Sequence, residues 1–260
     1  MSKAAKRQRK KELHRARIEA QIKRYRARRR RRLSIYLGVL GVAIALLVGL
    51  IVDARRDESR TDTELSDCAS TVPERAEIAL LTGPPAMSID QAKTYTAVMD
   101  TSCGEIRVEL ADDTSPQTVN SFVSLARMGF YNGLTFHRVI EYAVQGGDPA
   151  GDGSGSPGYE IVEAPPPLTT YERGTVAMAK GSTDPAGNSG SQFFIVSQDA
   201  TQLNGTPESP AGYAILGRVT EGLEGVDKIG MTETISPSGG GEKSRPRKDI
   251  YILKITIEES

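Results

Sequence analysis

The sequence has no tryptophan, two cysteines (Cys68 and Cys103) and two histidines (His14 and His137). Two thiols exclude a disulfide-rich scaffold and a zinc site of four thiolates. Two histidines do not build a His-rich metal centre. A P-loop, an HExxH helix and a GxSxG elbow are all missing, so the commonest phosphate, zinc-hydrolase and serine-nucleophile signatures are absent. The lack of Trp does not exclude a core. A chain of 260 residues, at about 150 per domain, allows one or two domains. An excess of one charge is missing as well, since 33 Lys and Arg meet 33 Asp and Glu.

That balance hides a split. Residues 1–32 carry sixteen Lys and Arg against Glu12 and Glu19, a net of +14. The other 228 residues carry seventeen basic and thirty-one acidic groups, a net of −14. A basic arm of this kind has its own role. Directly after it, residues 33–52 read LSIYLGVLGVAIALLVGLIV, twenty residues without a charge. A helix of that length spans about 30 Å, the thickness of a bilayer's hydrocarbon core. A signal peptide has a shorter apolar region, and Val52-Asp53-Ala54 is a poor cleavage site. The sequence therefore predicts a retained transmembrane helix. The positive-inside rule puts residues 1–32 in the cytoplasm and the rest outside, at the cell membrane. The arm is a topology signal, with anionic lipid or non-specific RNA as alternative partners.

Residues 53–93 are polar, charged and proline-containing, with Gly83-Pro84-Pro85 in the second half. They predict an extracytoplasmic linker, with room for a short helix at 89–92. Cys68 lies in this linker and Cys103 beyond it. Both would face an oxidising space, where a bridge and two free thiols are equally open from sequence.

The globular pattern occupies residues 94–260. Tyr95–Asp100 and Glu105–Leu110 predict two strands, the second alternating charged and apolar residues. Thr114-Ser115-Pro116-Gln117 has the form of a capping box with proline in the first turn. Val119, Phe122, Val123 and Ala126 follow as one apolar helix face, ended by Gly129. Further strands are expected at Leu134–Ile140, Gly174–Ala179, Phe193–Ser197, Tyr213–Val219 and Ile250–Ile257, with a second helix at Leu223–Ile229. Short strands, two distant helices and long Gly/Pro-rich loops (146–158, 181–191, 204–212 and 236–247) argue for a mainly β fold, a closed barrel capped by helices. Residues 153–158 match G-x-G-x-x-G, but Pro157 sits inside the match and no helical pattern follows, so the stretch is a turn-rich loop. His137 lies in an apolar strand, the setting of a packed core histidine.

Tyr131–Ile140 (YNGLTFHRVI), Gln145–Pro149 (QGGDP), Met178-Ala179-Lys180 and Gly190–Ile195 (GSQFFI) follow one another in order. Together they resemble the cyclophilin family of peptidyl-prolyl cis-trans isomerases, over about Tyr95 to Glu258. The resemblance implies an eight-stranded antiparallel barrel with a helix at each end, and proline-containing polypeptides as substrates. It makes Arg138 the catalytic arginine and Gln145 its polar partner. Phe194 becomes the floor of a proline pocket, with Leu203, Tyr213 and Tyr142 as walls. Met178, Ala179 and Lys180 take the peptide backbone, with Gln192 and Phe136 beside the site. Tyr213 stands where many relatives carry His. Gln202 stands where cyclosporin-sensitive ones carry Trp, which implies weak binding of the drug. The Glu141–Val144 connection is one residue shorter than usual and implies a shallower rim. No metal, cofactor or specific nucleic acid is implied, and a monomer is expected.

An isomerase needs no nucleophile, because no bond breaks. Twisting the X-Pro bond returns the lone pair to the proline nitrogen. A guanidinium near that nitrogen then binds the twisted state better than either planar one. The alternative is a Pro-peptide-binding or chaperone module with weak catalysis on the same fold.

Overall fold

In the computed structural model, residues 68–69, 71–75, 80–111, 113–237 and 240–260 are described. They belong to a compact unit spanning Thr63–Ser260. Segments 1–32 and 33–52, the expected arm and transmembrane helix, lie outside the described residues. No helix among the described residues is long and apolar enough to cross a membrane.

Chain order runs β1 (Tyr95–Thr101), β2 (Gly104–Leu110), α1 (Pro116–Arg127), β3 (Arg138–Ile140), β4 (Ala143–Gly146), β5 (Ile161–Val162), β6 (Thr175–Met178), β7 (Asn188–Ser189) and β8 (Phe193–Val196). A 3-10 turn at Thr201–Leu203 leads to β9 (Ile215–Glu221), α2 (Leu223–Gly230), β10 (Thr234–Ile235), β11 (Arg245–Pro246) and β12 (Ile252–Glu259). Eight strands form one antiparallel sheet in the order β12-β1-β2-β9-β6-β8-β4-β3, and β5-β7 and β10-β11 are small separate pairs.

The sheet curls, but its ladder does not close into the expected barrel. The edges, β3 and β12, do not pair with each other. The reason lies in residues 134–137, which were expected to extend β3. They meet residues 250–252, at the start of β12, irregularly, through one Thr135–Tyr251 bridge and bonds from Phe136 N–H to the Ile250 carbonyl (2.9 Å) and Ile252 N–H to the Leu134 carbonyl (2.8 Å). Among the described residues the architecture is a curled half-barrel with two helices. β4 was not expected as a strand, since Ala-Val-Gln-Gly is short and ends in glycine.

The helix face of Val119, Phe122, Val123 and Ala126 is buried as predicted, and α1 packs on β12. The predicted capping box does not form. Ser115, not Thr114, is the N-cap, and it makes no side-chain cap bond. The distant Glu163 carboxylate instead accepts the Gln117 and Thr118 N–H groups at 3.2 and 2.7 Å. That places a negative charge at the helix N-terminus, where the macrodipole favours it.

Strand alternation divides the sheet's apolar residues between two clusters. Val139, Val144, Val176, Phe193 and Ile195 join the main core, with Phe122, Tyr131 and Ile106. Ala143, Ala177, Phe194 and Val196 belong to a second cluster with Tyr171, Ala200 and Ala211.

The segment before β1 lies against the domain. Cys68 and Cys103 are joined as a disulfide across 35 positions. Leu81 N–H donates to the Pro157 carbonyl at 2.8 Å, and the Asn120 side chain bonds Ser88 N–H, at 2.7 Å, and the Ala86 carbonyl. Ile89 is buried. Residues 91–93 make a turn, and no helix forms at 89–92, where Asp90 N–H donates to the Tyr95 hydroxyl.

Candidate active site

β3 and β4 form a tight hairpin in which Arg138 faces Gln145 and Ile140 faces Ala143. The register continues across the sheet, with Gln145 opposite Phe194 and Phe194 opposite Ala177. Directly opposed residues share a face. Arg138, Gln145, Phe194 and Ala177 therefore make one row across four strands, on the face away from the main core.

A small slot of about 100 Å³ opens over this row. Its lining includes Arg138, Tyr142, Gln145, Ala179, Lys180, Phe194, Leu203 and Tyr213, all expected there from sequence. Ile140 and Ala143 join them, unforeseen. Phe194 is 5% exposed, and the Tyr213 ring stands edge-on to it, centroids 5.2 Å apart. Tyr142 sits in the two-residue turn of the hairpin and still reaches the slot, with Ala143 buried beneath it.

Two expected site residues keep their side chains out of the slot. Phe136 is 1% exposed in the main core, edge-on to Phe193 at 6.3 Å. Met178 is 1% exposed in the same core. In Met178's strand the reason is parity: it is one residue from Ala177 and so faces inward. Phe136 precedes β3 and its side chain lies under Gly146, where a Cβ would come within 3.1 Å of the ring. Neither side chain touches the slot, and only their backbones are left for contact with a ligand.

The polar groups form a chain. Arg138 Nη1 donates to Gln145 Oε1 (3.4 Å), and Gln145 Nε2 donates to Gln192 Oε1 (3.0 Å). Gln192 Nε2 donates to the Gly153 and Gly155 carbonyls, both at 3.0 Å. On the other flank, Arg138 Nη2 lies 3.5 Å from Glu242 Oε2. Lys180 Nζ donates to the Gly181 and Asp184 carbonyls and sits 5.6 Å from the centre of the Tyr213 ring. A second pocket of about 270 Å³ adjoins the slot through Gln145, Ala179 and Lys180, and Gln192 lines it.

Tyr171 braces the slot from behind. Its hydroxyl donates to the Tyr213 carbonyl (2.8 Å) and accepts the Tyr213 N–H (3.0 Å). Its own N–H donates to Asn204 Oδ1 and its carbonyl accepts the Ala200 N–H, which ties down the turn that carries Leu203. Burial pushes the Tyr171 hydroxyl up to about 12. Burial also raises Tyr213, with nearby Tyr142 adding to the shift and Arg138 opposing it. Sequence gave no signal for Tyr171, because it lies in an irregular stretch outside every motif. His137 faces away from the slot, in a separate pocket with Asp148, Arg75 and Arg245. Burial lowers its pKa from the usual value.

A slot lined by Phe194, Leu203 and Tyr213, with the Arg138 guanidinium and the Gln145 amide beside them and no carboxylate or thiol in its lining, defines a class. Its chemistry suits a small apolar ring and offers hydrogen bonds beside it. The model of the family described as "Cyclophilin type peptidyl-prolyl cis-trans isomerase/CLD" matches residues 96–257. The chain belongs to that family, and the enzyme class is peptidyl-prolyl cis-trans isomerase. It is 40% identical over 148 residues to a peptidyl-prolyl cis-trans isomerase of Helicobacter pylori, covering 55% of this chain and 85% of that protein. It is 37% identical over 177 residues to a probable peptidyl-prolyl cis-trans isomerase B of Mycobacterium tuberculosis, covering 62% of this chain and 53% of that one. A Cryptosporidium parvum cyclophilin, crystallised in the presence of the dipeptide Ala-Pro, superposes with a TM-score of 0.51 at 29% identity. That match covers 64% of this chain and 99% of the other.

Proposed function

We propose that this chain isomerises X-Pro bonds of polypeptides outside the cytoplasm and assists their folding. Residues 33–52 hold it in the cell membrane, residues 1–32 stay inside, and the domain acts as a monomer. The reading of the site rests on one observation above all: Arg138, Gln145 and Phe194 share a row and a face. The reading of the location is supported by the twenty uncharged residues, by the basic flank and by the Cys68–Cys103 bond, which persists in oxidising compartments.

The proline ring enters the slot over Phe194, between Leu203 and Tyr213. The preceding backbone runs along Ala179 and Lys180. The barrier to rotation is about 18–20 kcal/mol because the amide is conjugated. With the ring held, the carbonyl side rotates. The Arg138 guanidinium donates toward the proline nitrogen as its lone pair returns, and Gln145 orients both guanidinium and substrate. A thousandfold acceleration needs only about 4 kcal/mol of such differential binding.

The test has two arms. The full chain in detergent should accelerate cis-to-trans relaxation of a proline tetrapeptide. Protease added to intact cells should degrade the domain and spare an epitope placed in residues 1–32. No acceleration would leave the binding module, and protection of the domain would reverse the topology.

A further inference from the structure

We propose that Glu242 makes the slot selective for charge, favouring client segments with Lys or Arg beside the proline over segments with Asp or Glu there. The inference rests on the isomerase reading above and names which clients it serves.

Glu242 lies between β10 and β11, where residues 242–244 approach the outer edge of β3. That edge has no ladder partner in the sheet. Here one backbone bond forms, with Val139 N–H donating to the Ser244 carbonyl at 2.6 Å. Ser244 is itself buried, so the chain is anchored two residues from Glu242. Thr234 adds a bond to the Lys243 carbonyl at 3.3 Å. The anchored residues thus present a carboxylate beside a guanidinium that lines the slot, with Oε2 3.5 Å from Arg138 Nη2. Among the described residues it is the one carboxylate paired with this guanidinium. The two side chains are 67% and 41% exposed, so a client passing over the rim meets both.

The consequence follows from charge. Arg138 alone would attract an acidic neighbour of the proline. When the guanidinium turns its donors to the imide, Glu242 loses its partner. A cationic client residue replaces that partner, and an acidic one is repelled by it. Lys180, the other cation on the slot, is already held by two carbonyls and a ring. The net charge of −14 over residues 33–260 acts in the same direction, though it is screened beyond about 8 Å at physiological salt. An exposed ion pair limits the preference to about fivefold.

The full chain in detergent micelles is given peptides identical except for Lys or Glu at one position, moved over two positions on each side of proline. We expect one position at which kcat/KM for Lys exceeds that for Glu by about three- to fivefold. In E242Q the ratio at that position should fall to one or below, and about 0.5 M salt should collapse it in the wild type. The same ratio, read as Kd by fluorescence anisotropy of labelled peptides, does not depend on turnover. A Lys/Glu Kd ratio equal in wild type and E242Q would overturn the charge inference. Failure of the wild type to accelerate any peptide would overturn the isomerase reading instead.

Discussion

The Tyr171 hydroxyl bonds both the carbonyl and the N–H of Tyr213, at 2.8 and 3.0 Å. One buried phenol thus fixes the backbone of the residue that walls the slot, and its ring stands edge-on to the Tyr213 ring at 6.0 Å. Tyr171→Phe leaves that ring in place and removes both bonds. Stability should drop by about 1 kcal/mol or more, because a half-buried N–H and carbonyl lose their partner. KM should rise more than kcat falls, since a wall is loosened and the guanidinium is untouched. Thermal melts and steady-state kinetics on the variant read both quantities.

Gln145 accepts from Arg138 and donates to Gln192, so it holds the chain of polar groups together. Gln145→Leu should reduce kcat/KM by about tenfold, the worth of a hydrogen bond to a charged group. The melting temperature should change little, because Gln145 is only half-buried. An unchanged kcat/KM would remove Gln145 from the machinery.

Much of this row was legible in the sequence, and the failures have physical causes. The motifs grouped Arg138, Gln145 and Phe194, and the fold brings them into one row. The side chains of Phe136 and Met178 lie in the main core instead, because adjacency in a motif carries no parity: alternate residues of a strand face opposite sides. β4 was hidden by its length and its glycine. The cap of α1 comes from Glu163, 45 residues away from the N–H group of Thr118, and no local pattern announces such a partner. The closed barrel failed at 134–137, where apolar composition predicted a strand and the register across to β12 does not hold. The disulfide was open because distance cannot be read from spacing, and the fold brings the two Cα atoms to 4.4 Å.

The pH dependence of activity and of stability should separate. The slot lining contains no histidine, cysteine or carboxylate, so kcat/KM should be flat from about pH 6 to 8. His137 lies outside the slot, and burial lowers its pKa below 6.5. A lowered pKa means that the unfolded state binds the proton more readily. The stability from neutral His137 is therefore complete above the unfolded value of about 6.5 and is lost as pH falls through the folded value. Denaturant melts at pH 7 and 5.5 should show a loss that His137→Asn diminishes. An equal loss in the variant would contradict the assignment.

The Cys68–Cys103 bond closes a loop of 35 residues. On a chain-entropy account such a closure is worth about 3–4 kcal/mol. Cys68→Ser should lower stability by an amount of that order and free the segment before Arg75 for proteolysis, while the slot, far along the chain, keeps its KM. A melt of the oxidised and variant proteins, with limited trypsin digestion, checks both. An unchanged trypsin pattern would mean that the other contacts of this segment suffice.

Arg138 carries the central claim, and Arg138→Ala tests it most directly. Isomerisation of a proline peptide and binding of the same peptide should be measured on one preparation, by exchange NMR and by titration. Turnover at saturation should fall about a hundredfold or more, the cost of removing a donor that acts on the twisted state, and Kd should move by less than tenfold. Arg138→Lys should recover little of it, since an ammonium lacks the planar fork. Turnover equal to wild type in Arg138→Ala, with the peptide bound, would contradict the account.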